Sequence, residues 1–599
     1  MQDWLFLITQ DMFFSTLCFA ILCHRAVAQF ETQVFGIKPT PRPGDSVIDL
    51  KNSPSSLSDL VNRETKIQVS SSSSPSQPQM GGFIFGPNNH TLVLFEGIPL
   101  NDDTSVAGTF DFSSLTSEIA KKIWIKPGVS TSIFGTGALS GEIELKHIPA
   151  PQNQLALSGG SFGYQAQKIE ISSDPRSSLL VKNESSAGPS HTHSPEQDAF
   201  KRKTFFHKLQ IPSESSLVTV FFLSSESFSE YDSGSMPPTD DLDAYSEQSS
   251  QILSGSFETS QQNQYRLDFK RSNRLQRDAP NSPSDALAFS GEYESFWMRA
   301  LFHSSKSITP TTKLQLGFSA QQTQTRFIES SLFQSNSFAK TTPGTSQFLL
   351  LNFKSSSLTW EPSVKNECLG ERCRQALNLR MDAKIPQLDT WFQVSKGFKF
   401  ATSYQKHSLY GDPFLDAETV QSFITGAAFK GDEEKSKLTA TAFKMNYENL
   451  VDYNFNSNKF YNFGRVQAYG ISLDALRDFS RFQIGQSISY IEIFDQISNQ
   501  HLLRKPKWKL SSFFQQTFLS TWDLKVCFNF LGSRQDQAAS SQRVDLPPSS
   551  LWELSLAKNI SQEQKIDFHI FNVFNDRSEQ IYGYKSDAQK IELTFSSTF

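Results

Sequence analysis

A chain of 599 residues with a net charge of −5 lacks the basic excess that a nucleic-acid partner needs. Aromatic residues make up 13% of it, carried mostly by 53 Phe. Past the N-terminus no apolar run approaches twenty residues, which excludes a helical membrane protein. A barrel with an apolar outer face and a polar lumen fits this composition, and so does a soluble β-rich protein.

In chain order, Met12–Cys23 is mostly apolar and Ala26-Val27-Ala28 fits the small-x-small rule, so residues 1–28 read as a secretory signal cleaved to leave Gln29 first. Asp3 and Asp11 occupy the usual basic region, which leaves Met12 open as the true start. Residues 29–50 form a tail and a linker stiffened by Pro39, Pro41 and Pro43. Within residues 51–148, Leu57, Leu60 and Val61 are spaced as on a short helix, and Ser70–Ser74 with Pro75 and Pro78 read as a low-complexity loop. Two short β runs, Thr91–Phe95 and Gly141–Leu145, bracket a region rich in turn residues.

From about Pro149 to Phe599 the texture is strand after strand. Tyr265, Leu267 and Phe269 alternate with Arg266, Asp268 and Lys270, and Leu377, Leu379, Met381, Ala383 and Ile385 alternate with polar partners. Ile566, Phe568 and Ile570 do the same. Period two sends one set to each face of a sheet, and charged residues on the second face suit a water-filled lumen. Cys368 and Cys373 lie in a polar, loop-like stretch where a small disulfide-closed loop is plausible in an oxidising compartment, while Cys527 reads as a strand residue.

Several segments together resemble TonB-dependent outer-membrane receptors. Thr91–Asn101 resembles the strand, acidic-Gly turn and Asn of the family's plug domain, with Glu96 where Asp is usual, then Gly97 and Asn101. Residues 128–143 resemble its glycine-punctuated run, with Gly128, Gly135, Gly137 and Gly141 in place. Residues 409–416 resemble a loop that leads into a strand, and residues 571–576 resemble the turn near the C-terminus. The final alternation Ile591, Leu593, Phe595 and Phe599, broken at Ser597, resembles the last strand of outer-membrane barrels. Within the family the cobalamin receptor group looks closest, through Leu502-Leu-Arg-Lys505 and Ile581-Tyr-Gly-Tyr584.

The resemblance implies an all-β transmembrane fold, a 22-stranded antiparallel barrel with an N-terminal α/β plug in its lumen. The plug would span 51–148 and the barrel 149–599. About 450 residues leave about 20 per strand and connection, enough for the ~9–11 that cross a bilayer. It implies an outer-membrane location in a Gram-negative-type cell, no enzymatic activity, and energised uptake of a scarce small molecule, a corrinoid such as cobalamin or instead a ferric siderophore or other metal chelate. A non-transporting barrel used for adhesion or phage docking is the reading from another class. The mature start, with Glu31, Thr32, Gln33, Val34 and Phe35, resembles the TonB box, which would pair as a strand with a periplasmic energy transducer. Glu196, Asp198, Asp232, Asp241 and Asp243 fall in loops resembling those where cobalamin receptors hold calcium, and calcium is the one candidate cofactor. His191-Thr-His193 beside them reads as unliganded surface. No Gly-x-Ser-x-Gly, His-Glu-x-x-His or P-loop is present.

One departure stands out. The family's plug carries an Ile-Arg-Gly and an Arg-Gly-Pro, where this chain has Ile84-Phe85-Gly86 and Pro127-Gly128-Val129. Loss of both arginines together suggests that ionic locking of the plug is replaced by apolar packing through Phe85 and Trp124.

Overall fold

A computed structural model describes residues 42–49, 56–69, 82–84, 86, 90–129, 137–173, 176–192, 197–232, 241–280, 288–431, 435–454, 457–538 and 542–599. The alternation read from the sequence closes into a barrel of 22 antiparallel strands that begins at Gln154–Gly160 and ends at Lys590–Thr598, where last strand meets first. Tyr265, Leu267 and Phe269 point outward, Leu267 55% exposed, while Arg266, Asp268 and Lys270 are buried toward the lumen, Asp268 fully. Leu377, Met381 and Ile385 are outward as well, as are Ile591, Leu593, Phe595 and Phe599. An apolar outer face can meet lipid and a charged inner face cannot, so the alternation sets which way the sheet curls.

Strands join at one rim through short connections, such as residues 213–215, 260–262 and 310–311, and at the other through long ones, such as 187–199, 231–244, 400–417 and 572–589. Short turns mark the periplasmic rim and long loops the extracellular one. The wall is uneven. Phe289–Thr309, Thr312–Ser331 and Ser335–Lys354 run 21, 20 and 20 residues, whereas Gln154–Gly160, Gln564–Phe571 and Lys590–Thr598 run 7, 8 and 9.

The plug is a five-stranded sheet in the order Ser46–Asp49, Lys122–Pro127, Gly141–Lys146, Thr91–Phe95 and Ile98–Pro99. Thr91–Phe95 pairs parallel with Gly141–Lys146, the two runs singled out in the sequence, and its burial on both faces accounts for the unbroken apolar run. The short helix is Leu57–Asn62, capped by Ser56, with Leu57, Leu60 and Val61 buried. Phe95 sets edge-on against Phe206 and Phe221 of the barrel wall, with ring centroids 5.6 and 5.7 Å away.

Candidate functional site

The turn at the end of Thr91–Phe95 shows why the motif residues are what they are. Glu96 and Gly97 both have positive φ, 49° and 81°, the geometry of a tight two-residue hairpin. Glycine takes it freely; Glu96 is held in it by its side chain, which accepts from the His147 backbone N–H at 2.7 Å and pairs with Lys208 of the wall at 3.2 Å. Burial by itself would raise the Glu96 pKa, but Lys208 and Lys146 hold it down to about 2. Asn101 accepts from Val93 N–H at 2.8 Å and donates to the Thr91 and Gly108 carbonyls, tying the next loop back onto the strand. That loop, residues 101–110, is the apex of the plug. At Gly141 a side chain would strike Ile84 and the Lys126 carbonyl within 2.7 Å. Gly128 lies against Ile424 of the wall, Gly137 against Lys399, and Gly135 lies outside the described residues.

Above the apex lies a cavity of about 800 Å³. Its floor is Pro99, Asn101, Asp102, Asp103 and Gly108; its wall comes from the tall strands, and part of its rim from residues 399–407. The rim is folded inward. Thr402 and Gln405 form a capping box on the helix Ser403–His407, and Ser403 N–H donates to Asp103 of the plug at 3.1 Å. Tyr404 packs near Tyr293 and Phe327, and His407 stacks on Phe338 at 4.2 Å. Among the described residues the cavity is lined by seven Lys or Arg against four Asp or Glu. Lys365 is neutralised by Glu367 at 3.0 Å and Arg299 by Asp268 at 2.6 Å. Lys340 and Lys406 have no carboxylate within 4.0 Å among the described residues. Burial, then the like charges of Arg372 and Lys340, lowers the Lys406 pKa; burial, then Lys340 and Lys406, lowers that of His407. None of these cations carried a local signal in the sequence, because strands far apart in the chain bring them together.

Below the cavity the plug is seated by ion pairs, which corrects the expectation that ionic locking is lost. Arg63 meets Glu553 at 2.6 Å, Lys66 meets Asp474 at 2.8 Å, Lys121 meets Glu170 at 2.8 Å and Glu118 meets Lys182 at 2.8 Å. His90, stacked on Tyr447, meets Glu418 at 3.2 Å. Wall cations also cap plug carbonyls, Lys270 on Pro99 and Asn101, Arg299 on Gly97, and Lys399 on Ala107. The charges have moved to other positions. Lys126, which stands next to the missing arginine, pairs with Glu142 and Glu144 inside the plug sheet. Apolar plug–wall contact does exist, but through Phe95; Trp124 is half-buried outside the main apolar cluster, and Phe85 lies outside the described residues.

The acidic loop residues form two groups. Asp198 and Asp232 converge with His191, and Asp241 and Asp243 with Asp278, each group within 4.8 Å. His191 is fully buried, contrary to its reading as surface: Nδ1 lies 3.0 Å from Asp198 and Nε2 2.7 Å from Asp587. Burial would lower its pKa, but the hydrogen bonds to these two carboxylates push it up to about 9. Asp278 and Asp587 belong to groupings the sequence did not suggest, since each is distant in the chain from its partners. Glu196, His193 and the segment Glu31–Phe35 lie outside the described residues. Cys368 and Cys373 are disulfide-bonded, and they face each other across two paired strands rather than within a loop. Cys527 is buried in the strand Trp522–Leu531.

A wall of this size around a plug with these motifs is matched by known families. The family profile described as TonB dependent receptor-like, beta-barrel, matches residues 185–575, and that of the TonB-dependent Receptor Plug Domain matches residues 46–142. The chain belongs to the TonB-dependent receptor family. It is an outer-membrane protein of a family of transporters. Among solved structures, this receptor is similar to the siderophore receptor PirA from Acinetobacter baumannii, at 14% identity and a TM-score of 0.76, with 93% of this chain and 98% of that one covered. It is similar to the copper transporter OprC, at 12% identity and a TM-score of 0.78, covering 94% and 99%. It is also similar to the ferripyoverdine receptor of the outer membrane of Pseudomonas aeruginosa, at 13% identity and a TM-score of 0.74, covering 93% and 86%. At these identities the likeness concerns the fold.

Proposed function

We propose that this receptor takes up an anionic metal chelate of the ferric-siderophore class, bound in the cavity above the plug apex and released through movement of the plug. The observation that carries this is the cationic excess of the cavity, with Lys340 and Lys406 lacking carboxylate partners among the described residues. In a cleft flanked by protein such charge favours a multiply anionic ligand more than a neutral one of equal size. A volume of about 800 Å³ lies in the range of small-molecule sites. The siderophore receptors among the structural neighbours agree with this class. The corrinoid reading rests on Leu502–Lys505 and Ile581–Tyr584, and neither segment lines the cavity. Coupling would run through residues 31–36 to a TonB-type transducer by strand addition.

The test is whole-cell uptake in a strain relying on this receptor, offered ferric enterobactin, ferripyoverdine or cobalamin. Accumulation of iron from an anionic chelate supports the proposal. Accumulation of cobalamin alone overturns the substrate class, and accumulation of none overturns transport of all three.

A further inference from the structure

Away from the substrate cavity, three extracellular loops meet around one buried histidine. We infer that His191, Asp198 and Asp232 form a binding site for a first-row divalent transition metal, which pins these loops together. Each residue offers one donor atom, all within 4.8 Å of one another, and each is at least nine-tenths buried. His191 and Asp198 belong to the connection 187–199 and Asp232 to 231–244.

The donor set selects the metal. One imidazole nitrogen with two carboxylates suits zinc and its first-row neighbours, whereas calcium takes six to eight oxygens and gains little from nitrogen. The histidine is oriented as a ligand would be. Its Nε2 faces Asp587 at 2.7 Å, which leaves Nδ1 for Asp198 at 3.0 Å, with Asp232 in the same group. A carboxylate on the far nitrogen is the arrangement that fixes ring direction and raises basicity in metal sites. Asp587 is itself braced, by Lys590 at 2.5 Å and by Asn572, whose Nδ2 donates to its carbonyl at 2.7 Å. The third loop, 572–589, therefore supports the site without entering it.

Charge and size also agree. Three carboxylates surround one imidazole, an environment that favours a divalent cation. Tetrahedral zinc holds oxygen and nitrogen donors at about 2.0–2.2 Å, which sets donor pairs about 3.4 Å apart. Contraction by up to about 1.4 Å from the present 4.8 Å is within the reach of side-chain rotation. The fourth position is open to water.

The full-length protein in detergent would be dialysed against Zn²⁺, Co²⁺ or Ca²⁺. We expect one Zn²⁺ or Co²⁺ retained per chain, Co²⁺ with the visible absorption of a low-coordinate site, and no displacement by excess Ca²⁺. His191→Gln and Asp232→Asn should each lose about 100-fold in affinity or more. Asp587→Asn should weaken it about 10–100-fold without changing stoichiometry. Asp243→Asn, in the other carboxylate group, should change nothing. Heat-modifiable gel migration verifies that each variant keeps its barrel. Failure of the parent protein to retain Zn²⁺ or Co²⁺, displacement by Ca²⁺, or undiminished binding in folded His191→Gln would each overturn the proposal.

Discussion

The seam between plug and wall and the cavity above the plug use the same residue types in opposite ways. Along the seam, cations are matched to carboxylates within 2.6–3.2 Å, as at Arg63–Glu553 and Lys208–Glu96, or to carbonyls, as at Arg299 and Gly97. In the cavity, Lys340 and Lys406 stand without a carboxylate in reach among the described residues. Charge removed from water has to be compensated. The seam compensates it internally, which holds the plug in place. The cavity leaves part of that compensation to a ligand. Holding dominates below the plug apex and binding above it, with Lys270, Arg299 and Lys399 shared between them, since they line the cavity and also cap plug carbonyls.

The sharpest way to separate the two is to cut the link to the transducer. Deleting residues 31–36 should abolish whole-cell uptake while leaving chelate affinity unchanged. Continued uptake would break the assignment of the tail. Next comes the seam. Arg63→Ala leaves Glu553 buried without its main partner and should destabilise plug seating by about 3–5 kcal/mol, read as protease sensitivity or faster amide exchange in residues 57–69. Unchanged protection would mean that the ion pairs do not hold the plug. The third test uses pH. The Glu96 pKa falls on folding, from 4.5 to about 2, so its contribution is complete above about 4.5 and is lost as pH falls through about 2. That shift corresponds to roughly 3 kcal/mol, and Glu96→Gln should flatten the acid limb of plug exchange. The smallest effect belongs to the cavity. Lys340→Glu with Lys406→Glu should weaken binding of a ferric chelate about 10–100-fold and reduce its salt dependence, with plug protection as in the parent.

The barrel was legible because period two is a local property. Tyr265–Lys270 states on its own which side chains meet lipid and which meet water. The plug was legible through short motifs whose demands are also local: the turn at Glu96 and Gly97, and the strand tie at Asn101. The seam was misread because its ion pairs join residues from 49 to 490 positions apart. Arg63 and Glu553 are separated by 490, and no spacing in the chain connects them. Absence of arginine from two motif positions therefore said nothing about charge supplied elsewhere. His191 was misread for the same reason, since its burial depends on Asp587, 396 residues away. Asp198 and Asp232 were found as acidic loop residues, but which residues they would join was not legible.

The uneven wall has a consequence for the membrane itself. Where the chain closes on itself, Lys590–Thr598 and Gln154–Gly160 share seven residue pairs, against nineteen in the hairpin of Thr312–Ser331 and Ser335–Lys354. Strands of 7 to 9 residues fall at or below the ~9–11 that span a bilayer. A span this short is matched by local thinning of the bilayer or by flanking polar side chains reaching to the interface, so the mismatch with lipid is concentrated on one side of the receptor. That closing edge, with the neighbouring seams of Gln154–Gly160 with Gln165–Ser173 and of Ser549–Asn559 with Gln564–Phe571 at six pairs each, makes one side of the cylinder far less densely hydrogen-bonded than the tall side opposite.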